Sequence, residues 1–134
     1  MPAMSASECI KKKFSSTGTP ASIPMQRGGY FQAELKPNGV EVDNLADQPI
    51  LPWRVFEETL NLLDQCGGSA SRGDAMLSRL GDPGLPFESV EGHIAHVVYG
   101  KNKGDSVFRR ITPVACILVW TGICSHKPGR LVLR

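Results

Sequence analysis

The stretch "GDSVFRRITPVACILVWTGIC", residues 104–124, decides how the rest of the chain is read. It holds two adjacent arginines, a proline at 113, seven consecutive apolar residues from Val114 to Trp120 and a glycine at 122. As a strand, "VACILVW" requires neighbours on both faces, and Val114, Ile117 and Val119 supply the β-branched content. As a helix, it has a candidate N-cap in Ser106, a second start at Thr112 with Pro113 in the first turn, and a stop at Gly122. The cap signals favour helix, with the strand as rival, and Pro113 bends or divides any helix that begins at 106. The part after Pro113 is then core, and the arginines before it are free to meet a partner.

Three earlier segments are read as helices that end on glycine. In "PWRVFEETLNLLDQCGG", Trp53, Phe56, Leu60 and Leu63 form one apolar stripe, Pro52 stands at the start and Gly67 where a left-handed cap sits, which predicts a helix over 53–66. "SRGDAMLSRLG" predicts a short helix over 74–80, with Ala75, Met76 and Leu80 inward and Gly81 as its stop. "ESVEGHIAHVVYG" predicts a helix over 89–99 with Ser89 as N-cap and Val90, Ile94, Val97 and Val98 buried, although Gly92 costs it up to about 1 kcal/mol against alanine.

Before these helices the period is two. Phe31, Ala33 and Leu35 alternate with Gln32 and Glu34, "KPNG" supplies the turn, and Val40 and Val42 alternate with Glu41 and Asp43: a β-hairpin with one apolar face. The prolines of "DQPILP" are expected to end strand pairing. Residues 1–27 lack any sustained period and read as a flexible or partner-docking arm, in which Ile10, Phe14, Ile23 and Met25 are the residues that would dock on the domain or on a second copy. "LVLR" after "SHKPGR" closes the chain as a second small hairpin. The expected fold is α+β: an N-terminal hairpin, a bundle of about four short helices and a C-terminal hairpin, in a single domain over 28–134.

A length of 134 residues suits one core. Cys9, Cys66, Cys116 and Cys124 are scattered and make no C-x-x-C pair, which reads as a reducing compartment and places the protein in the cytoplasm. The longest apolar run is far short of the roughly 20 residues that cross a bilayer, so no membrane partner is expected. The net charge of +2 conceals an asymmetry: residues 1–92 carry 8 Lys and Arg against 12 Asp and Glu, whereas 93–134 carry 7 against one. Such a basic last third suits an anionic partner, or else solubilises the loops around an apolar core.

In element order, residues 52–134 resemble a winged helix-turn-helix. The resemblance implies "SVEGHIAHVVYG" as positioning helix, "SVFRRITPVACILVWTGI" as recognition helix and "CSHKPGRLVLR" as wing. It further implies that Arg109 and Arg110 meet bases or phosphates of duplex DNA and that Lys101, Lys103, Lys127 and Arg130 contact the backbone. The six-residue turn, Pro113 and an apolar run without a polar face depart from the pattern.

Other chemistry has weaker support. His93 and His96 stand at i, i+3, a spacing that holds a metal when a third ligand arrives, with Glu91 and His126 the only candidates; satisfied core-edge histidines are the commoner outcome. "GGSASRGDA" lacks the lysine and spacing of a phosphate loop, and Arg72-Gly73-Asp74 matches a cell-adhesion tripeptide that three residues match by chance. No nucleophile motif and no cofactor motif stands out, so the expectation leans away from an enzyme. The rival to nucleic-acid binding is a homo-oligomeric module that binds protein or a small ligand, built on the arm and on Trp53, Phe87 and Trp120.

Overall fold

The computed structural model describes residues 5–45 and 48–134. The first four residues of the expected arm, and Asp47 of "DQPILP", lie outside them. Within the described residues the protein is α+β, with a four-stranded antiparallel sheet in the N-terminal half, four helical segments and a three-stranded sheet that includes the C-terminal hairpin.

The segment expected as an arm is a helix and a strand of the same core. Helix α1 (Ala6–Thr17) starts at a capping box: Ser5 Oγ accepts from the Glu8 N–H, and Glu8 Oε1 accepts from the Ser5 N–H, both at 3.2 Å. Ala6, Ile10 and Phe14, four residues apart, are buried against helices α2 (Trp53–Gln65) and α4 (Ile111–Trp120). Burying Ile10 and Phe14 stabilises by about 1.5–3 kcal/mol each, which offsets part of the cost of ordering the helix. Phe14 meets Trp120 edge-on, with ring centroids 5.1 Å apart. Trp53 donates its indole N–H to the Pro37 carbonyl at 3.0 Å, and both tryptophans are roofed by lysines of α1.

Strand β1 (Ala21–Pro24) pairs with β2 (Tyr30–Lys36), and β2 with β3 (Gly39–Val42) in the expected hairpin, register Lys36↔Gly39. Phe31, Ala33, Val40 and Val42 form its buried face. The two prolines of "DQPILP" do not end pairing. Strand β4 (Ile50–Pro52) adds to β3 as an edge, the Pro49 carbonyl accepts from the Val42 N–H, and Pro52 is both the last strand residue and the N-cap of α2. An edge position is where a strand tolerates a missing donor.

The stripe of α2 is rotated from the expected one: Val55, Phe56, Thr59, Leu62 and Leu63 are buried, while Trp53 and Leu60 are half-buried. The short helix expected over 74–80 is a turn. Asp74 Oδ1 accepts from the N–H groups of Met76 and Leu77, and this side-chain cap closes one turn that nothing extends toward Gly81. Met76 and Leu77, 68% and 87% exposed, point outward, and Leu80 anchors a small second core with Leu85, Ala95 and Val107.

Helix α3 (Val90–His93) starts as expected at Ser89, whose Oγ accepts from the Gly92 N–H at 3.0 Å, and continues as a wider turn over Ile94–Val98, closed by Tyr99 N–H to Ile94 O. Gly92 is required: a Cβ there would strike the Pro86 carbonyl oxygen. Helix α4 runs over 111–120, not from 106, and residues 104–110 approach it without helical turns. Ile111 and Pro113–Leu118 are buried, so the apolar run is a core helix. Strands β6 (Cys124–Lys127) and β7 (Arg130–Leu133) form the terminal hairpin, and β5 (Ser69–Ser71) joins β7 to give the order β5-β7-β6. The ladder extends one residue further, with the Arg72 N–H donating to Gly129 O at 3.0 Å, and this seats residue 72 beside the hairpin turn.

Candidate anion-binding cleft

Four loops meet over the N-terminal end of α4 and enclose a cleft of about 1030 Å³. Its walls are the β1–β2 turn with Met25 and Arg27, the segment Ser71–Asp74 with Met76, the Pro83–Gly84 loop, and the Pro128–Gly129 turn of the terminal hairpin; Arg109, Thr112 and Cys116 complete it. The lining grades from an exposed rim (Arg27, Arg109, Met76) to a half-buried Arg72 and Thr112 and a buried Cys116. Arg27 and Arg72 each precede a glycine with positive φ, +95° at Gly28 and +84° at Gly73, and the chain bends at Gly28.

Arg72 governs the electrostatics. Burial, and then the neighbouring charges of Arg109 and Arg27, lower its pKa, against an opposing pull from Cys116 and Glu91. Its Nη1 lies 3.3 Å from His126 Nδ1, and burial together with the Arg72 charge lowers the imidazole's pKa, which suits a neutral ring accepting from the guanidinium. Among the described residues no carboxylate lies within ion-pair distance of Arg27, Arg72 or Arg109. Asp74, the acid on the lining, spends Oδ1 on the backbone of its own turn. Arg109 Nη1 donates to Met76 Sδ at 2.8 Å. Three cations thus share a concavity with one carboxylate on its lining, which leaves an excess of positive charge there. Burial raises the pKa of the Cys116 thiol.

The scaffold under the cleft is Glu91, fully buried on α3. Its carboxyl accepts from the Arg110 N–H at 3.0 Å on each oxygen and from the Ile111 N–H at 2.7 Å, so it caps α4 from another element where Ser106 and Thr112 were expected to do so. Its own N–H donates to the Arg72 carbonyl at 3.0 Å. One residue therefore fixes the backbone at Arg72 and just after Arg109. Burial pushes its carboxyl up to about 7, opposed by those two N–H groups and then by Arg110 and Arg109.

The residues singled out from sequence are dispersed. Arg109 is exposed on the cleft, while Arg110 is 3% exposed and turns the other way: its guanidinium lies 3.7 Å from the Tyr99 ring centroid and 4.9 Å from that of Phe108, and Nη2 donates to Gln48 Oε1. Both precede α4 rather than lying in its first turns. Lys127 and Arg130 flank the cleft's hairpin turn, with Arg130 Nε donating to Ser69 Oγ at 2.7 Å. Lys101 and Lys103 are exposed but do not line the cleft; Lys101 borders a smaller pocket beside Arg110, and the Lys103 stem lies against Gly81.

His93 and His96 do not converge. His93 Nε2 meets Glu58 Oε1 at 3.0 Å, and His96 Nδ1 donates to Lys101 O at 2.8 Å with its ring edge-on to Phe87. Among the described residues no three His, Cys, Asp or Glu are placed to hold a metal, and no helix is long and apolar enough to cross a membrane. The four cysteines are free, with Cys66 exposed.

No family model matches the chain, and no curated protein or solved structure matches it.

Proposed function

We propose that this is a small binding protein that holds single-stranded nucleic acid by its phosphates in the cleft of Arg27, Arg72 and Arg109. The observation that carries the reading is the convergence of three guanidiniums, one of them half-buried, without a carboxylate partner among the described residues. Guanidinium forks match phosphate geometry, and a buried fork whose donors face a cavity gains most from an anion. The basic last third of the chain and the flanking Lys127 and Arg130 extend the positive field around the opening.

The shape favours a strand over a duplex. Major-groove readers insert a convex element, whereas these cations line a concavity of the size that holds small ligands or a nucleotide or two. Met25 and Met76 offer the apolar contact that a sugar or base edge would use.

Fluorescence anisotropy of a labelled oligothymidylate tests this. Three phosphate contacts predict a slope of log affinity on log salt of about −2 between roughly 50 and 200 mM, and duplex of the same length should bind more weakly. Arg72→Met and Arg109→Ala should each weaken binding by about 10- to 100-fold, the loss of one charge-assisted contact. Undetectable binding at low salt, or binding indifferent to both substitutions, overturns the proposal.

A further inference from the structure

We infer that the cleft receives the end of a strand, and that the group seated on Arg72 is a terminal phosphate monoester. The inference rests on the strand-binding reading and narrows it. Its basis is depth: Arg27 and Arg109 are exposed at the rim, whereas Arg72 is half-buried beside the half-buried Thr112 and the buried Cys116. A strand that continues past the site in both directions keeps its phosphates at the rim, because sugars on either side of an internal phosphodiester bar it from the floor. A terminal phosphate, substituted on one oxygen only, can descend to Arg72 while its sugar stays near Met25 and Met76.

Charge leads to the same group. The lining holds three cations, Arg27, Arg72 and Arg109, against one anion, Asp74, whose Oδ1 is engaged by two backbone N–H groups. An internal diester carries a single negative charge, which leaves the lining positive. A monoester carries about −1.5 to −2 at neutral pH and presents three free acceptor oxygens, which suits a net excess of two cations and those donors of Arg72 that have no partner among the described residues. Thr112, half-buried on the first turn of α4, adds a hydroxyl to that floor.

The experiment compares one oligothymidylate, labelled internally, in three forms: a 5′-phosphate, a 3′-phosphate, and hydroxyls at both ends. Against the wild-type protein, one phosphorylated form should bind at least about tenfold more tightly than the hydroxyl form, and Arg72→Met should erase that preference. Arg27→Ala, an exposed side chain on a turn, should weaken all three forms alike and keeps the test informative if Arg72→Met does not fold. Equal affinity for the three forms, with binding still weakened by Arg27→Ala, overturns the end-binding inference and leaves the strand reading standing. Undetectable binding of every form overturns both. Free thymidine 5′-monophosphate that competes as strongly as the phosphorylated strand assigns the floor to mononucleotides and overturns the strand-end version.

Discussion

Replacing Glu91 with glutamine should change how stability depends on pH, in a direction and amount the structure specifies. Glu91 is fully buried, and burial raises its carboxyl from the ordinary 4.5 to about 7 in the folded protein. Below about pH 4.5 the group is protonated whether the chain is folded or not, so it contributes no pH dependence. As pH rises from about 4.5 to about 7 the unfolded chain ionises this group while the folded one keeps its proton, and the folded state loses ground. Each pH unit of that window is worth 1.36 kcal/mol, so the loss is on the order of 3 kcal/mol, complete near pH 7 and flat above it. Glutamine cannot titrate, and its amide oxygen still accepts from the Arg110 and Ile111 N–H groups. Urea unfolding of both proteins at several pH values across the window gives the comparison, because the other titrating groups are common to both. Between about pH 4.5 and 7 the variant should gain on the wild type by that amount. A difference that stays constant with pH refutes the reasoning. So does a wild type that gains on the variant as pH rises, because the two N–H donors and the nearby arginines would then outweigh burial.

Other substitutions separate the cleft from its scaffold. Arg72→Met removes a half-buried cation that no carboxylate among the described residues pairs with, so its melting temperature should equal or exceed the wild type's by calorimetry even as anion binding weakens. Arg110→Ala should do the reverse: stacking on Tyr99 and Phe108 and the bond to Gln48 disappear, which should cost about 1–3 kcal/mol in chemical denaturation with strand affinity unchanged. Gly92→Ala, favourable by helix propensity, should instead destabilise by about 1–3 kcal/mol, because its methyl meets the Pro86 carbonyl.

Where the determinants are local, the chain announces its structure. The β2–β3 hairpin follows from alternation and a turn sequence, α2 from its apolar period, the start of α3 from Ser89, and the last hairpin from Pro128-Gly129 between alternating strands. Helix α1 was legible in principle: Ser5-Ala-Ser-Glu8 is a capping box, and Ala6, Ile10 and Phe14 share a face, but a run of lysine, serine and threonine hides three apolar residues among eight polar ones and a cysteine. The start of α4 was legible to about a residue from Thr112 and Pro113, but its cap was not, because the cap comes from Glu91, 19 residues back in sequence from Arg110. Turn 74–80 resembled a helix by its apolar spacing, yet Asp74 bonds its own backbone and ends the turn at once.

The cleft was half visible. Arg109 stood out beside Arg110 as one of a pair, yet the two face different ways, and the pair divides between the cleft and an aromatic packing site. Arg27 and Arg72 carried no distinctive motif, since the first lay in the expected arm and the second in a chance tripeptide. Each precedes a glycine of positive φ, which is the local signal available, but their meeting with Arg109 depends on β1 joining the sheet and β5 pairing with β7.

Four glycines, Gly28, Gly73, Gly84 and Gly129, mark the four loops around the cleft, and their amide resonances report on it directly. A titration of ¹⁵N-labelled protein with single-stranded oligothymidylate, followed by amide shifts, therefore tests whether this concavity is the binding site. The account predicts that the shifts concentrate at these four glycines and at Arg72 and Thr112, saturate together, and in Arg72→Met require about 10- to 100-fold more strand. Shifts that gather around Lys101 and Lys103 instead, or no shifts at saturating strand, would contradict it.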